Sequence, residues 1–366
     1  MQPFSPHLLA RGLCIISLLT TLLPASVAEQ EQDQVPISVA KGPIKEIPQV
    51  GLGLWNSKNE HVCLALPSFH FAAFVAIAVE YAFEAGYHHL DSAAAYGNED
   101  FVGHTLSNSS LSPSRKSYWI TSKLWNTAHQ PKNVRPALEK TLHDLQVPYL
   151  DLYLMHWPVA FLPDQEKGRT VIDQDTSIHD TWRAMEDLVR ANLTRYIGVS
   201  NFSPRQLDDL LAKCDIRPLA HEFETHPYLQ QQEFVDWHLR NNITVIAYSP
   251  LANINPTYDG KYPDLPPILE DKFWTELAAK KNVTPAQAIL AWGRQRGTIV
   301  IPKSVHKDRI EENLGSLKVS FTEKEMLKIA EQDKRSRFNN PSKDWGVELF
   351  EGLDDGSSRF VANEEL

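Results

Sequence analysis

Eight short apolar runs, each separated from the next by a stretch of helical character, constrain this chain more than any other feature. They are GLGLW (51–55), HHLDSA (88–93), YWITSK (118–123), LDLYLMH (150–156), RYIGVSN (195–201), LAHEFETH (219–226), TVIAYSP (244–250) and GTIVIPKS (297–304). Several carry consecutive apolar residues instead of strict alternation, as strands covered on both faces do. Between them, Val134, Ala137, Leu138, Thr141, Leu142 and Leu145 fall on one helical stripe that starts near Pro131 or Asn133. Ser203-Pro204 and Thr284-Pro285 cap and open two further helices. Thr322 with Glu325 makes a capping box for a last helix. Strands that alternate with helices in this way predict an α/β fold, a (β/α)8 TIM barrel with a C-terminal extension. A doubly wound sheet is the alternative, but GLGLW lacks the third glycine of a dinucleotide-binding turn.

The ends of the chain read as something other than barrel. Arg11 precedes LCIISLLTTLLP (13–24), a run too short to span a bilayer, and Ser26-Val27-Ala28 supplies small residues for cleavage. Residues 1–28 are therefore expected to be a signal peptide, 29–43 a linker, 44–335 the barrel and 336–366 a C-terminal tail. Asn363-Glu364-Glu365-Leu366 is close to the tetrapeptides that return proteins to the endoplasmic reticulum lumen, which is the expected location, with secretion as the alternative. Asn-x-Ser/Thr sequons occur at Asn108, Asn192, Asn201, Asn242 and Asn282, of which Asn201 falls at a strand end. A net charge of −10, with no element that concentrates Lys and Arg, argues against a nucleic-acid surface. No membrane association is expected of the mature chain, and its oligomeric state is not legible.

Two stretches depart from economy. Asp164 to Ser177 is a long polar loop after the fourth strand, where loops commonly line a substrate pocket. The segment VCLALPSFHFAAF (62–74) is apolar and without period where a short connection is expected. It reads either as an added lipophilic wall or lid, or as translated non-coding sequence.

Chemistry gathers at the carboxyl ends of the second, third and fourth runs. Asp91 and Tyr96, Lys123, and His156 follow one another at about the interval of a strand-plus-helix unit. Carboxyl ends of successive parallel strands converge on one mouth. Singly, each residue has an ordinary structural reading: a turn carboxylate, a packed ring, a solvated strand end, a core histidine. Together an acid, a phenol, an amine and an imidazole make a proton-transfer site.

The motifs LDSAAAYGNE (90–99), TSKLW (121–125), LMHWP (154–158), IGVSNFS (197–203), HPYLQQ (226–231), AYSPL (247–251) and IPKS (301–304) followed by RIEEN (309–313) resemble, in order, those of the aldo-keto reductase family. The resemblance implies transfer of hydride from a reduced nicotinamide to an aldehyde or ketone, reversibly, with NADP(H) as cofactor. It implies Tyr96 as the acid, Lys123 as the ammonium that lowers the phenol's pKa, Asp91 as the group that holds Lys123, and His156 as the residue that orients the carbonyl. It assigns Ser200 and Asn201 to the carboxamide and Tyr248 to the nicotinamide face. Ser249 and Leu251 go to the pyrophosphate, and Glu312 and Asn313 to the adenine. Lys303, Ser304 and Arg309 combine two cations with a hydroxyl, which suits a 2′-phosphate.

Where that family usually has a glutamine against the carboxamide, this chain carries Glu222, a negative charge beside the ring. Trp55, Trp125 and Trp157 match aromatic positions around a small carbonyl or alcohol substrate. His221 and His226 make a poor metal pair, and no metal is implied. A nicotinamide-binding sensor with little turnover, or a product inactivated by the 62–74 insertion, are the competing readings; the intact set of four favours the enzyme.

Overall fold

A computed structural model describes residues 47–55, 69–109, 113–162 and 171–354. The expected signal peptide and linker, residues 62–68 of the apolar segment, residues 164–170 of the polar loop after the fourth strand and the last twelve residues of the tail, 355–366, lie outside them. Eight parallel strands follow in chain order around one sheet: β1 (Leu52–Gly53), β2 (His89–Asp91), β3 (Trp119–Leu124), β4 (Leu150–Met155), β5 (Thr194–Ser200), β6 (Ala220–Glu224), β7 (Thr244–Tyr248) and β8 (Thr298–Val300). The sheet closes on itself, because Val50 pairs in parallel with Val300. Backbone hydrogen bonds from Gly51 to Val300, Val300 to Gln49 and Gly53 to Pro302 sew this seam. The fold is a (β/α)8 barrel.

The near-continuous apolarity of the strands now has its cause in their two-sided burial. Leu152 and Leu154 of β4 point inward with Trp119, Ala220, Ile246, Ile299 and Ile301, and fill the barrel interior. Tyr153 and Met155 alternate with them and pack outward with Ile120, Val199, Val245 and the helices. The interior leaves no spare room. A Cβ on Gly198 of β5 would stand 2.5 Å from the Ala220 carbonyl oxygen and 2.7 Å from Leu154.

Helices cover the outside: α1 (Phe69–Ala85), α2 (Glu99–Asn108), α3 (Pro131–Leu145), α4 (Ile178–Arg190), α5 (Pro204–Leu211) and α6 (Gln232–Arg240). They continue as α7 (Lys272–Lys281), α8 (Pro285–Gln295), α9 (Lys307–Gly315), α10 (Glu323–Ala330) and a short α11 (Ser342–Trp345). The stripe on α3 buries Val134, Leu138, Thr141, Leu142 and Leu145, with Pro131 in its first turn. Complete capping boxes open α5 at Ser203/Gln206, α8 at Thr284/Gln287 and α10 at Thr322/Glu325. Two expectations need correction. Residues 69–74 are not irregular: they form the first turns of α1, so the break in the pattern ends sooner than the sequence suggests. The helix opened by Thr322 is not the last described, since α11 follows in the tail.

That tail is built into the molecule. Lys334 and Ser336 donate their amides to the Tyr228 carbonyl. Two residues on, the consecutive amides of Phe338 and Asn339 donate to the two oxygens of the Glu224 carboxylate at 2.7 and 2.8 Å. Arg337 meets Asp354 through two nitrogens, at 2.8 and 2.9 Å, and lies over the Phe350 ring. Leu349 and Phe350 then bury against Trp157, Val159 and Phe161 beside the barrel mouth.

Candidate active site

At the carboxyl ends of β2 and β3 and on the neighbouring face of β6 three ionisable side chains meet, buried beneath the surface. Lys123 is fully buried, and Asp91 and Glu222 nearly so. The lysine Nζ donates to Asp91 Oδ1 at 2.6 Å, to the Ser92 carbonyl at 3.0 Å and to the Tyr96 hydroxyl at 3.3 Å. A second carboxylate, Glu222 Oε1, stands 3.3 Å from the same nitrogen. Asp91 and Glu222 hold the ammonium well above the ordinary lysine range, against the desolvation that would neutralise it. Lys123 therefore carries its charge across the whole working pH range. Strand alternation places it there: Trp119, Thr121 and Lys123 share the inward face of β3, and only the last is at the mouth.

Tyr96 sits in a single 3-10 turn, Ala94–Tyr96, that Gly97 ends with a left-handed φ of 64°. Asn98 fixes that turn by donating from its side-chain amide to the Leu54 carbonyl. Burial pushes the Tyr96 phenol above its usual value; Lys123 pulls it down, and Asp91 and Glu222 push it up again. Lys123 acts in the expected direction, but desolvation and two carboxylates outweigh it, so Tyr96 holds its proton until something nearby asks for it. His156, on the far side of the ring, is kept neutral by burial and by the Lys123 charge. Its ring meets Tyr96 edge-on at 6.0 Å and Trp125 at 5.3 Å between centroids.

A cavity of about 710 Å³ opens above these groups. Asp91, Tyr96, His156, Ser200, Asn201, Glu222, Tyr248, Ser249, Leu251, Lys303, Ser304 and Arg309 all line it, as do Trp55, Trp125 and Trp157. Lys123 lies behind Tyr96 and Asp91 and does not line it. Glu312 and Asn313, the expected adenine positions, do not line it either. The Glu312 carboxylate instead accepts from the Thr284 hydroxyl and its carbonyl from Gln287, which ties α9 to the start of α8. Asn201 has a second task as well: its amide donates to the His156 carbonyl and to Ser200, and accepts from the Tyr248 hydroxyl at 2.7 Å. A left-handed φ of 61° lets it turn back in this way.

Several lining residues were not anticipated from the sequence: Asn339, Pro341 and Trp345 of the tail, and Ile254, Asn255 and Tyr258 of the connection after β7. Trp345 packs edge-on against Trp157 and Phe161, each at 5.0 Å, and so walls one side of the mouth. Its isolation in a polar tail was the available signal. His226 lies beyond the end of β6 and bonds Glu224, whereas His221 faces outward to His238 at 2.8 Å. The two are separated by the end of the strand as well as by its alternation.

The chain's similarities bear on what this arrangement is for. Residues 49–334 match the family model described as the aldo/keto reductase family. An aldo/keto reductase of Synechocystis sp. is 42% identical over 300 residues, covering 80% of this chain and 88% of its own length. The aldo-keto reductase family 1 member A1 of Gallus gallus is 41% identical over 307 residues, covering 81% and 89%. Among solved structures, the aldose reductase from Schistosoma japonicum superposes with a TM-score of 0.72 at 35% identity, over 83% of this chain and 94% of that one.

Proposed function

The chain belongs to the aldo/keto reductase family, and on that premise we propose that it is an NADPH-dependent reductase of aldehydes and ketones with Tyr96 as its proton donor. The observation that carries the proposal is the buried Lys123 ammonium, 2.6 Å from Asp91 and 3.3 Å from the Tyr96 oxygen at the floor of an aromatic-walled cavity. The donor set suits the cofactor: Ser200, Asn201 and the Tyr248 ring are polar and planar groups on one wall, and Lys303 and Arg309 are exposed cations beside the Ser304 hydroxyl. Bound reduced nicotinamide supplies a hydride to the carbonyl carbon.

The chain's own residues supply the proton and the electrostatics. As negative charge develops on the carbonyl oxygen, Tyr96 gives up its phenolic proton to it. The phenolate left behind faces Lys123, whose charge Asp91 keeps in place, so the transfer becomes favourable only when the oxygen becomes basic. His156, neutral, has a ring N–H available to hold the carbonyl oxygen toward Tyr96. Trp55, Trp125, Trp157 and Trp345 favour an apolar substituent on the carbonyl carbon and keep bulk water from it.

Purified protein starting at Glu29 should oxidise NADPH in the presence of a panel of aldehydes and ketones. Tyr96→Phe should lose roughly 10²- to 10⁴-fold in turnover while still binding NADPH. Tight NADPH binding with no consumption across the whole panel would sink the reductase reading.

A further inference from the structure

The proposed reaction leaves Glu222 without a task, although it is among the most deeply placed charges in the site. Its side chain is 2% exposed, and its Oε1 stands 3.3 Å from Lys123 Nζ, the nitrogen that Asp91 already holds at 2.6 Å. The two carboxylates therefore flank one nitrogen, each with an oxygen against it. One oxygen of each, Asp91 Oδ2 and Glu222 Oε2, is buried and meets no donor among the described residues. Two buried carboxylates thus share a single ammonium, which leaves one negative charge uncompensated at a buried site.

Among the described residues no cation other than Lys123 pairs with either carboxylate. Tyr96 is a neutral phenol, and His156 is neutral through burial and Lys123. In the flanking strands Ser200 of β5 and Ile246 of β7 sit in register with Glu222 and carry no charge. Glu224, next on the same face of β6, is occupied by His226 and the Phe338 and Asn339 amides. One proton on the carboxyl pair removes the excess charge and gives an orphaned oxygen its donor. Burial and the neighbouring Asp91 push Glu222 well up from the usual carboxylate range, and Lys123 only partly opposes them.

We propose that Asp91 and Glu222 share one proton in the resting site, and that this proton is released to solvent when an oxidised nicotinamide, a cation, occupies the cavity against Glu222. The reduced ring is neutral and leaves the proton in place. In the step the O–H bond of the shared carboxyl breaks, the proton goes to water, and the carboxylate left behind faces the cationic ring; no electrons move. The chain would thereby couple the oxidation state of its cofactor to proton release, and favour the oxidised form increasingly as pH rises. The inference rests on the nicotinamide reading above.

The test is equilibrium binding of NADP⁺ and of NADPH to the full mature chain, from about pH 5 to about pH 9, without substrate. The ratio of the two dissociation constants cancels titration of the 2′-phosphate and of the Lys303–Arg309 rim, which both forms meet alike. The ratio should move toward NADP⁺ by up to about tenfold per pH unit, as release of one proton requires. Glu222→Gln should flatten it and lose affinity for NADP⁺ at the alkaline end. Calorimetry in two buffers of different ionisation enthalpy should count the proton for wild type with NADP⁺ and none for the variant. A flat ratio in wild type overturns the proposal, and does so without any variant that must fold. A slope that survives in Glu222→Gln also overturns it. Failure of both nucleotides to bind would remove the nicotinamide reading first and this proposal with it.

Discussion

Lys123 is the residue through which the charges of the site act on one another, and its removal separates their contributions. Lys123→Met should leave Asp91 and Glu222 buried without a cation, at a cost of about 3–5 kcal/mol in chemical denaturation. The same change made in a Glu222→Gln background should cost less at alkaline pH, where the shared proton is gone and two carboxylates face the missing cation; equal costs there would mean that Glu222 does not feel Lys123. Glu222 also predicts a pH dependence of stability with a definite sign. Unfolded glutamate titrates near pH 4.3, whereas the folded carboxyl is pushed well above its usual value. Between the two the folded chain holds a proton the unfolded chain has lost, so wild-type stability falls as pH rises, by up to about 1.4 kcal/mol per pH unit. Glutamine does not titrate. Glu222→Gln should therefore gain in Tm over wild type as pH climbs through that window, and the advantage should shrink toward pH 4; a difference independent of pH would contradict it. The identities of these residues were legible in the sequence because each belongs to a recognisable strand. The net direction of the Tyr96 pKa was not, because burial and the second carboxylate belong to the folded mouth and not to any local spacing.

β6 and the tail after α10 behave as one element, although more than a hundred residues separate them in sequence. Glu224 accepts two consecutive tail amides and His226, and these contacts hold its carboxylate below its usual range despite its burial. Beside them, the Arg337–Asp354 pair closes the loop that presents Trp345 to the cavity. Asp354→Ala should free Arg337 and loosen that loop without touching Tyr96, Lys123 or His156. The expected result is a KM for aromatic or bulky carbonyls that rises several-fold while kcat for a small aldehyde stays near wild type, together with faster proteolytic nicking between about residues 340 and 354. An unchanged KM across substrate sizes would remove the tail from substrate recognition. The capping boxes on α5, α8 and α10 were readable because their signal spans four residues. The seat of the tail was not, because the partner of the Phe338 amide is a carboxylate 114 positions earlier. The tie between Glu312 and Thr284 was hidden for a related reason: its motif sits at a helix start, and only the folded chain brings Thr284 to it.

At the scale of the whole molecule the barrel is strongest in its middle and narrowest at its seam. β4 and β5 pair over most of their length, whereas β1 is two residues long and meets β8 through an isolated bridge and three backbone bonds. The seam also borders the cavity, since Gly53 and Ile301 both line it. A Cβ at Gly53 would stand 2.8 Å from the Ile301 carbonyl oxygen, too close for the strands to stay where they are. Gly53→Ala should therefore push β1 from β8, at roughly 1–3 kcal/mol of stability by analogy with other overpacked sites. If the closed barrel opens there first, amide exchange at Gly51, Gly53 and Val300 should accelerate in the variant. Leu152, Leu154 and Ile197, in the β4–β5 ladder, should stay protected. Nicotinamide affinity should fall alongside, because the wall that carries Ile301 and Lys303 moves with the seam. Uniform acceleration around the sheet would mean instead that the barrel opens as one cooperative unit, with no weak side for a ligand to close.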